Sequence, residues 1–118
     1  MPVRLLTSSV LKWPDAKTVI AAVKRWAAQV AQDRPDVLKI GYFGSFARGD
    51  WGVGSDLDLV IIVDKSEKPF ELRATEWDTL ELPVHTDVLV YTREEWQSLS
   101  QQRLFFQRLE GEAVWVYG

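Results

Sequence analysis

The pattern of apolar and polar positions begins with one amphipathic segment. From Pro14-Asp15, which resembles a helix N-terminus, apolar residues recur at helical spacing until Arg34-Pro35. The polar positions between them include Lys24 and Arg25. The segment therefore predicts a helix whose buried side consists of Val19, Ile20, Val23, Trp26, Ala27 and Val30.

Short apolar runs predict the elements that follow. Val37–Phe43 is typical of a strand, and after Gly44-Ser45 the segment Phe46–Asp50 is long enough for only one or two helical turns. Leu57–Val63 is almost wholly apolar, which favours a central strand covered on both faces. A short helix is predicted over Phe70–Leu80.

The C-terminal third continues the alternation of strand and helix. Pro83 opens a third predicted strand, Val84–Tyr91, and Thr92 is a predicted helix N-cap. A last strand is predicted over Ala113–Tyr117. The apolar side of the helix between them consists of Trp96, Leu99, Phe105, Phe106 and Leu109. Because no repeat or linker interrupts the chain, we expect a single domain over residues 1–118.

Composition narrows the classes of function. The 118 residues contain no cysteine, which excludes disulfides, thiolate metal sites and cysteine nucleophiles. The formal net charge is -3 and the basic residues are scattered, so no nucleic-acid footprint is visible. The longest apolar run is far shorter than the roughly 20 residues of a membrane span. We therefore expect a cytoplasmic protein with neither nucleic acid nor membrane as its partner.

The first candidate functional feature is a phosphate-binding corner. Gly44-Ser45 follows a predicted strand and opens a short predicted helix. Backbone amides and a hydroxyl at such a helix start suit a phosphate, and the glycine lets a ligand approach the backbone. Gly44 and Ser45 are therefore predicted to hold the β- and γ-phosphates of a triphosphate. Arg48, three residues past Ser45, is a further candidate for pairing with it.

The second feature is a set of strand carboxylates. Asp56 and Asp58 lie at i and i+2, so they project to one face while Leu57 points to the core. Asp87 adds a third carboxylate from the next predicted strand. Three such groups repel one another without a cation, and their oxygens suit magnesium. Two ions would be held by Asp56 and Asp58, with Asp87 completing the catalytic ion and accepting the proton of an attacking hydroxyl.

These motifs carry a family resemblance. Gly-Ser-Phe-Ala-Arg-Gly followed by Ser-Asp-Leu-Asp-Leu resembles the signature of the DNA polymerase β-like nucleotidyltransferase superfamily, over about Val37 to Val90. The single-domain length is similar to its minimal branch, which includes the antitoxins of HEPN/MNT modules. That resemblance implies an α/β (α+β) fold with a small mixed β-sheet flanked by helices. It also implies two Mg²⁺ ions, ATP or another nucleoside triphosphate as substrate, and a helical HEPN-type partner that is modified with AMP.

The resemblance assigns roles to individual positions. Gly44 and Ser45 match the phosphate-binding pair, Asp56 and Asp58 the metal dyad, and Asp87 the third carboxylate. Larger relatives carry an extra domain for the acceptor, for which this chain has no room. Acceptor recognition is therefore expected to come from a partner.

Two alternatives differ in class from an active transferase on a partner protein. One is a catalytically silent subunit that neutralises a HEPN-type partner by contact, against which the presence of all three carboxylates argues. The other is a free-standing nucleotidyltransferase that acts on a small molecule.

Two aromatic or titratable side chains near the motifs have open roles. His85 shares a predicted strand face with Asp87, yet a lone histidine near a strand start is more often structural, so it is not placed in the catalytic set. Trp51 could stack on a nucleobase or serve as a packing anchor. Core positions are predicted for Trp26, Trp77 and Trp96.

Overall fold

The computed structural model describes residues 14–99 and 104–118. The strands β1 to β4 are Val37–Phe43, Leu57–Val63, Thr86–Thr92 and Val114–Tyr117. The helices α1 to α5 are Ala16–Asp33, Ser45–Arg48, Phe70–Arg73, Arg93–Leu99 and Leu104–Glu112, and a 3-10 turn, Ala74–Glu76, follows α3.

The strands form one mixed sheet in the order β3-β2-β1-β4. Strand β1 is antiparallel to both β2 and β4, whereas β2 and β3 are parallel. The predicted α/β fold with a small mixed sheet flanked by helices is therefore confirmed. As a result of these directions, the C-terminal end of β1 and the N-terminal ends of β2 and β3 lie at the same edge of the sheet.

The two faces of β2 are buried differently. Its odd-numbered apolar residues, Leu57 to Val63, belong to the main core together with the apolar side of α1. Trp26 of α1 is buried there, and its indole Nε1 donates to the Asp78 carbonyl at 2.8 Å. The even-numbered residues Val60 and Ile62 are buried outside that cluster. Asp58 follows the same alternation and therefore lies on the face away from α1.

The predicted helix starts at Pro14-Asp15 and Thr92 are confirmed. The Asp15 side chain accepts from Thr18 N at 2.8 Å and caps α1. Thr92 Oγ1 accepts from Glu95 N at 3.1 Å, while the Glu95 carboxylate accepts from Thr92 N at 2.9 Å. This reciprocal pair is a capping box at the start of α4.

Two predicted elements have wrong bounds. The helix expected over Phe70–Leu80 ends early because Trp77 adopts extended backbone and enters the core. The third strand, expected to begin at Val84, begins instead at Thr86, because Thr86 pairs with Leu57, the first residue of β2. The helix expected after Thr92 is described as α4 and α5 on the two sides of residues 100–103, which lie outside the described part of the chain.

The predicted core positions of the tryptophans hold in two cases out of three. Trp26 and Trp77 are buried. Trp96 of α4 is only partly buried, and its ring packs on Phe106 of α5 and Trp115 of β4, with ring centroids 4.6 Å and 5.8 Å apart. Within residues 14–99 and 104–118, the helices are too short or too polar to cross a membrane.

Candidate active site

Strand pairing brings the two sequence motifs together at one edge of the sheet. Asp58 is paired with Phe43 of β1 on one side and with Asp87 of β3 on the other. Gly44 follows Phe43 directly, so it lies against Asp58, and a Cβ added to Gly44 would be 3.2 Å from the Asp58 Cγ. The phosphate-binding corner and the carboxylates predicted from the sequence are thus neighbours in space.

Two of the three predicted carboxylates, Asp56 and Asp87, lie close to each other and to His85, whereas Asp58 does not belong to this group of ligand atoms. A carboxylate oxygen of Asp56, a ring nitrogen of His85 and a carboxylate oxygen of Asp87 all lie within 4.8 Å of one another. All three side chains are exposed. The His85 Nδ1 is 3.5 Å from the Asp56 Oδ1. Burial raises the pKa of Asp58 above its ordinary value, and the neighbouring charges of Asp87 and Asp56 raise that pKa further. Crowded oxygen donors of this kind fit a hard divalent cation, which would relieve the repulsion.

Gly44, the first residue of the Gly44-Ser45 corner, has a backbone conformation that glycine alone adopts readily. Its φ is 76° and its ψ is -151°, and its carbonyl accepts from Ala47 N at 3.0 Å and Arg48 N at 2.9 Å to begin α2. The Ser45 side chain is half-buried at the first position of the helix. No hydrogen bond to another described residue uses its hydroxyl, so this group is available to a ligand.

Arg48 lies in the same cavity but is already paired. Its Nε donates to Asp50 at 3.1 Å and its Nη1 to Glu112 at 3.1 Å. The second oxygen of Glu112 accepts from the Gly44 N–H at 2.8 Å. One carboxylate from α5 therefore joins Arg48 to the phosphate-binding corner.

These groups line an open cavity of about 460 Å³ between the sheet edge, α2 and α5. The helix α5 contributes Arg108, Leu109 and Glu112 to its wall. Among the described residues, Arg108 has no hydrogen bond or ion pair. Every site residue predicted from the sequence also lines the cavity, namely Gly44, Ser45, Arg48, Asp56, Asp58 and Asp87.

Two lining residues, Arg108 and Glu112, were missed by sequence reasoning. Nothing in the local sequence distinguishes them from the other charged positions of α5. Their placement depends on β4 pairing with the distant β1, which brings the end of α5 to the site. His85 had a usable signal, since it precedes Asp87 by two residues and shares its face, and its exposed imidazole argues against a packing role.

Trp51 lies in the loop after α2 and is absent from the cavity wall. Its ring stacks on that of Phe46, with centroids 5.8 Å apart and an interplanar angle of 10°. It is partly buried against the main core. Of the two roles considered from the sequence, the packing anchor is the one the structure favours.

A family comparison is consistent with this geometry. The model of the nucleotidyltransferase domain matches residues 23–110, which include both motifs and Asp87. This chain belongs to the nucleotidyltransferase domain family. No curated protein sequence matches the chain.

Solved structures share the fold of this nucleotidyltransferase domain. A candidate nucleotidyltransferase from Sulfolobus solfataricus is similar with a TM-score of 0.60 at 18% identity, over 85% of this chain and 80% of the other. A toxin–antitoxin structure with AMP-PNP gives 0.56 at 16% identity, over 80% and 73%. A double aspartate-to-glutamate variant of the toxin–antitoxin MntA–HpeT gives 0.54 at 13% identity, over 80% and 72%.

Proposed function

We propose that this nucleotidyltransferase transfers AMP from ATP, with magnesium, to a hydroxyl group of a partner protein and thereby acts as the antitoxin of a toxin–antitoxin pair. The observation that carries the enzymatic part is the position of Asp58, which lies directly between the Gly44 corner and Asp87. Similarity to two toxin–antitoxin structures supports the antitoxin part.

The metal-binding residues in this proposal are Asp56, Asp58 and Asp87. Their carboxylates suit two Mg²⁺ ions, which would supply positive charge to the triphosphate and to the departing pyrophosphate. His85 adds a nitrogen atom to the same group of ligand atoms. Burial raises the pKa of Asp58, and the neighbouring charges of Asp87 and Asp56 raise that pKa further, so a cation at the site would favour the ionised carboxylate.

The phosphate corner orients the substrate. The Ser45 hydroxyl donates to a β- or γ-phosphate oxygen, and the Gly44 backbone lets the phosphates approach. Arg48 and Arg108 lie on the cavity wall, where their positive charges favour the triphosphate. The acceptor oxygen bonds to the α-phosphorus as the bond to pyrophosphate breaks, and Asp87, which is exposed, accepts the proton of the acceptor.

A partner protein is proposed as the acceptor because the cavity is open. Asp56 and Asp87 are exposed, so an incoming hydroxyl can reach them from outside the sheet edge. A docked helical protein of the HEPN type would hold that hydroxyl near the α-phosphate. Positioning of this kind is a large part of the rate advantage in group transfer.

The test is intact-mass analysis of a helical protein encoded beside this chain. It is incubated with the enzyme, magnesium and each nucleoside triphosphate in turn. We expect the mass to increase by whole AMP units with ATP, and no increase when EDTA is present. The matched control replaces Asp56, Asp58 and Asp87 by Asn, which preserves volume, and should still co-purify with the partner without labelling it.

Three results would contradict parts of this proposal. Labelling by another triphosphate would correct the nucleotide. If the wild type and the triple Asn variant both neutralise the partner and neither increases its mass, the chain acts by contact alone. Transfer to a small acceptor with no protein partner would show a free-standing enzyme.

A further inference from the structure

Glu112 joins three parts of the site at the end of α5. Val114 of β4 pairs with Tyr42 of β1. Antiparallel register carried two residues further places Glu112 opposite Gly44. Its Oε2 accepts from the Gly44 N–H at 2.8 Å and its Oε1 from Arg48 Nη1 at 3.1 Å. Its side chain is only 18% exposed, so the carboxylate is built into the cavity wall.

Two roles for this carboxylate are physically reasonable. Glu112 could occupy the place of a phosphate and leave when nucleotide binds, or it could hold the corner in shape for the nucleotide. The backbone around it favours the second role. Ala113 N donates to the Leu109 carbonyl at 2.8 Å, and β4 begins at the next residue, so both sides of Glu112 are anchored.

We propose that Glu112 is a positioning residue for the triphosphate of the substrate. It fixes the Gly44 corner and holds the Arg48 guanidinium on the cavity wall. Asp50 takes Nε and Glu112 takes Nη1, which leaves Nη2 without a bond to any described residue and free for a phosphate oxygen. This proposal rests on the proposed function, because it assigns a role toward the same nucleotide.

The direction of the change in nucleotide affinity on removal of Glu112 distinguishes positioning from competition. Glu112 is a negative charge beside a site for a triphosphate. If charge or competition were its main effect, its removal would strengthen nucleotide binding. If it positions Arg48 and Gly44, its removal weakens binding despite the more favourable charge. The two roles therefore predict opposite changes.

The experiment measures the dissociation constant of magnesium with a non-hydrolysable ATP analogue by calorimetry. Glu112→Gln is compared with Glu110→Gln, which removes the same charge from an exposed position of α5 outside the cavity wall. We expect Glu110→Gln to match the wild type and Glu112→Gln to bind about ten-fold more weakly, the scale of one hydrogen bond to a charged group. Unchanged or tighter binding by Glu112→Gln overturns the proposal.

A second variant and a measurement of folding distinguish weaker binding by a folded protein from weaker binding caused by unfolding. Glu112→Asp keeps the charge but is one methylene too short to reach both Gly44 and Arg48. We expect it to weaken binding also, whereas a charge effect alone would leave binding unchanged. Circular dichroism and melting curves show whether each variant is folded.

A third variant tests the route through Arg48. When Glu112→Gln is combined with Arg48→Gln, the loss of affinity should be smaller than the product of the two single losses. Independent losses that simply multiply overturn the assignment to Arg48.

Failure of the proposed function is distinguishable from failure of this inference. If the wild type binds no nucleoside triphosphate with magnesium, the proposed function fails and the positioning role for a nucleotide fails with it. If the wild type binds and Glu112→Gln binds equally well, only the positioning role fails. Amide hydrogen exchange of Gly44 in the nucleotide-free protein gives a further readout, since it should be faster in Glu112→Gln but unchanged in Glu110→Gln.

Discussion

Replacement of Gly44 by alanine tests the close fit between Gly44 and the Asp58 carboxylate. Gly44 has a φ of 76° and a ψ of -151°, a region that alanine enters only at a cost of about 1–3 kcal/mol. An added Cβ would also press on the Asp58 carboxylate, 3.2 Å from its Cγ. Because the pairing of Phe43 with Asp58 fixes the two strands, the carboxylate must rotate away.

The expected loss of stability in Gly44→Ala can be estimated by comparison with Gly49→Ala. Gly49 ends α2 in the left-handed region, with a φ of 86° and a ψ of 8°, and a Cβ there meets no atom within 4 Å. Its replacement carries only a conformational cost of about 1–2 kcal/mol. Gly44→Ala also displaces the Asp58 carboxylate and disturbs the hydrogen bond of the residue 44 N–H. We therefore expect the free energy of unfolding to fall by about 2–4 kcal/mol in total.

Urea denaturation of the two variants in metal-free buffer measures this difference. Calorimetric titration with magnesium should also show weaker binding for Gly44→Ala and normal binding for Gly49→Ala. If Gly44→Ala loses no more stability than Gly49→Ala and still binds magnesium normally, the contact between Gly44 and Asp58 does not shape the site.

Three other changes address single side chains. The folded-state pKa of Asp58 is raised, so its ionised form costs stability above that pKa, and the cost vanishes as pH falls through it toward the unfolded value. Asp58→Asn should therefore raise the melting temperature of metal-free protein at pH 7 with a smaller gain near pH 4, and destabilisation at pH 7 would contradict the clustering of charge. Ser45→Ala should lower kcat/KM by about ten- to a hundred-fold through loss of one bond to phosphate, while unchanged kinetics would leave Ser45 a turn residue. Arg108→Gln should weaken triphosphate binding about ten-fold, whereas Arg25→Gln, on the exposed side of α1, serves as the control with no change; equal affinities for both variants would exclude Arg108 from the site.

Much of the fold could be predicted because local pattern and tertiary structure agree. The apolar side of α1 and the apolar residues of Leu57–Val63 pack in or against the core as their periodicity indicates, and Asp15 and Thr92 cap the helices that their spacing predicts. The errors occur where burial competes with propensity. Trp77 enters the core and ends a helix that local preference alone would continue.

The candidate site divides in the same way. Positions Gly44, Asp56 and Asp58 lie close in sequence and carry a recognisable spacing, so their neighbourhood could be predicted. Glu112 could not be, because its contact with Gly44 spans 68 positions and depends on which edge of the sheet β4 occupies. No local pattern encodes that choice of neighbour.

The separation of Gly44 and Glu112 along the chain has a consequence for synthesis on the ribosome. The segments that carry the phosphate corner and the carboxylates emerge first, while β4, which holds Glu112 against the corner, emerges last among the described elements. Contacts this distant form only after the intervening chain is available. A nascent chain that has not yet paired β4 with β1 thus has its carboxylates without a shaped phosphate corner. We therefore expect the proposed nucleotide binding to begin only once β4 has left the exit tunnel.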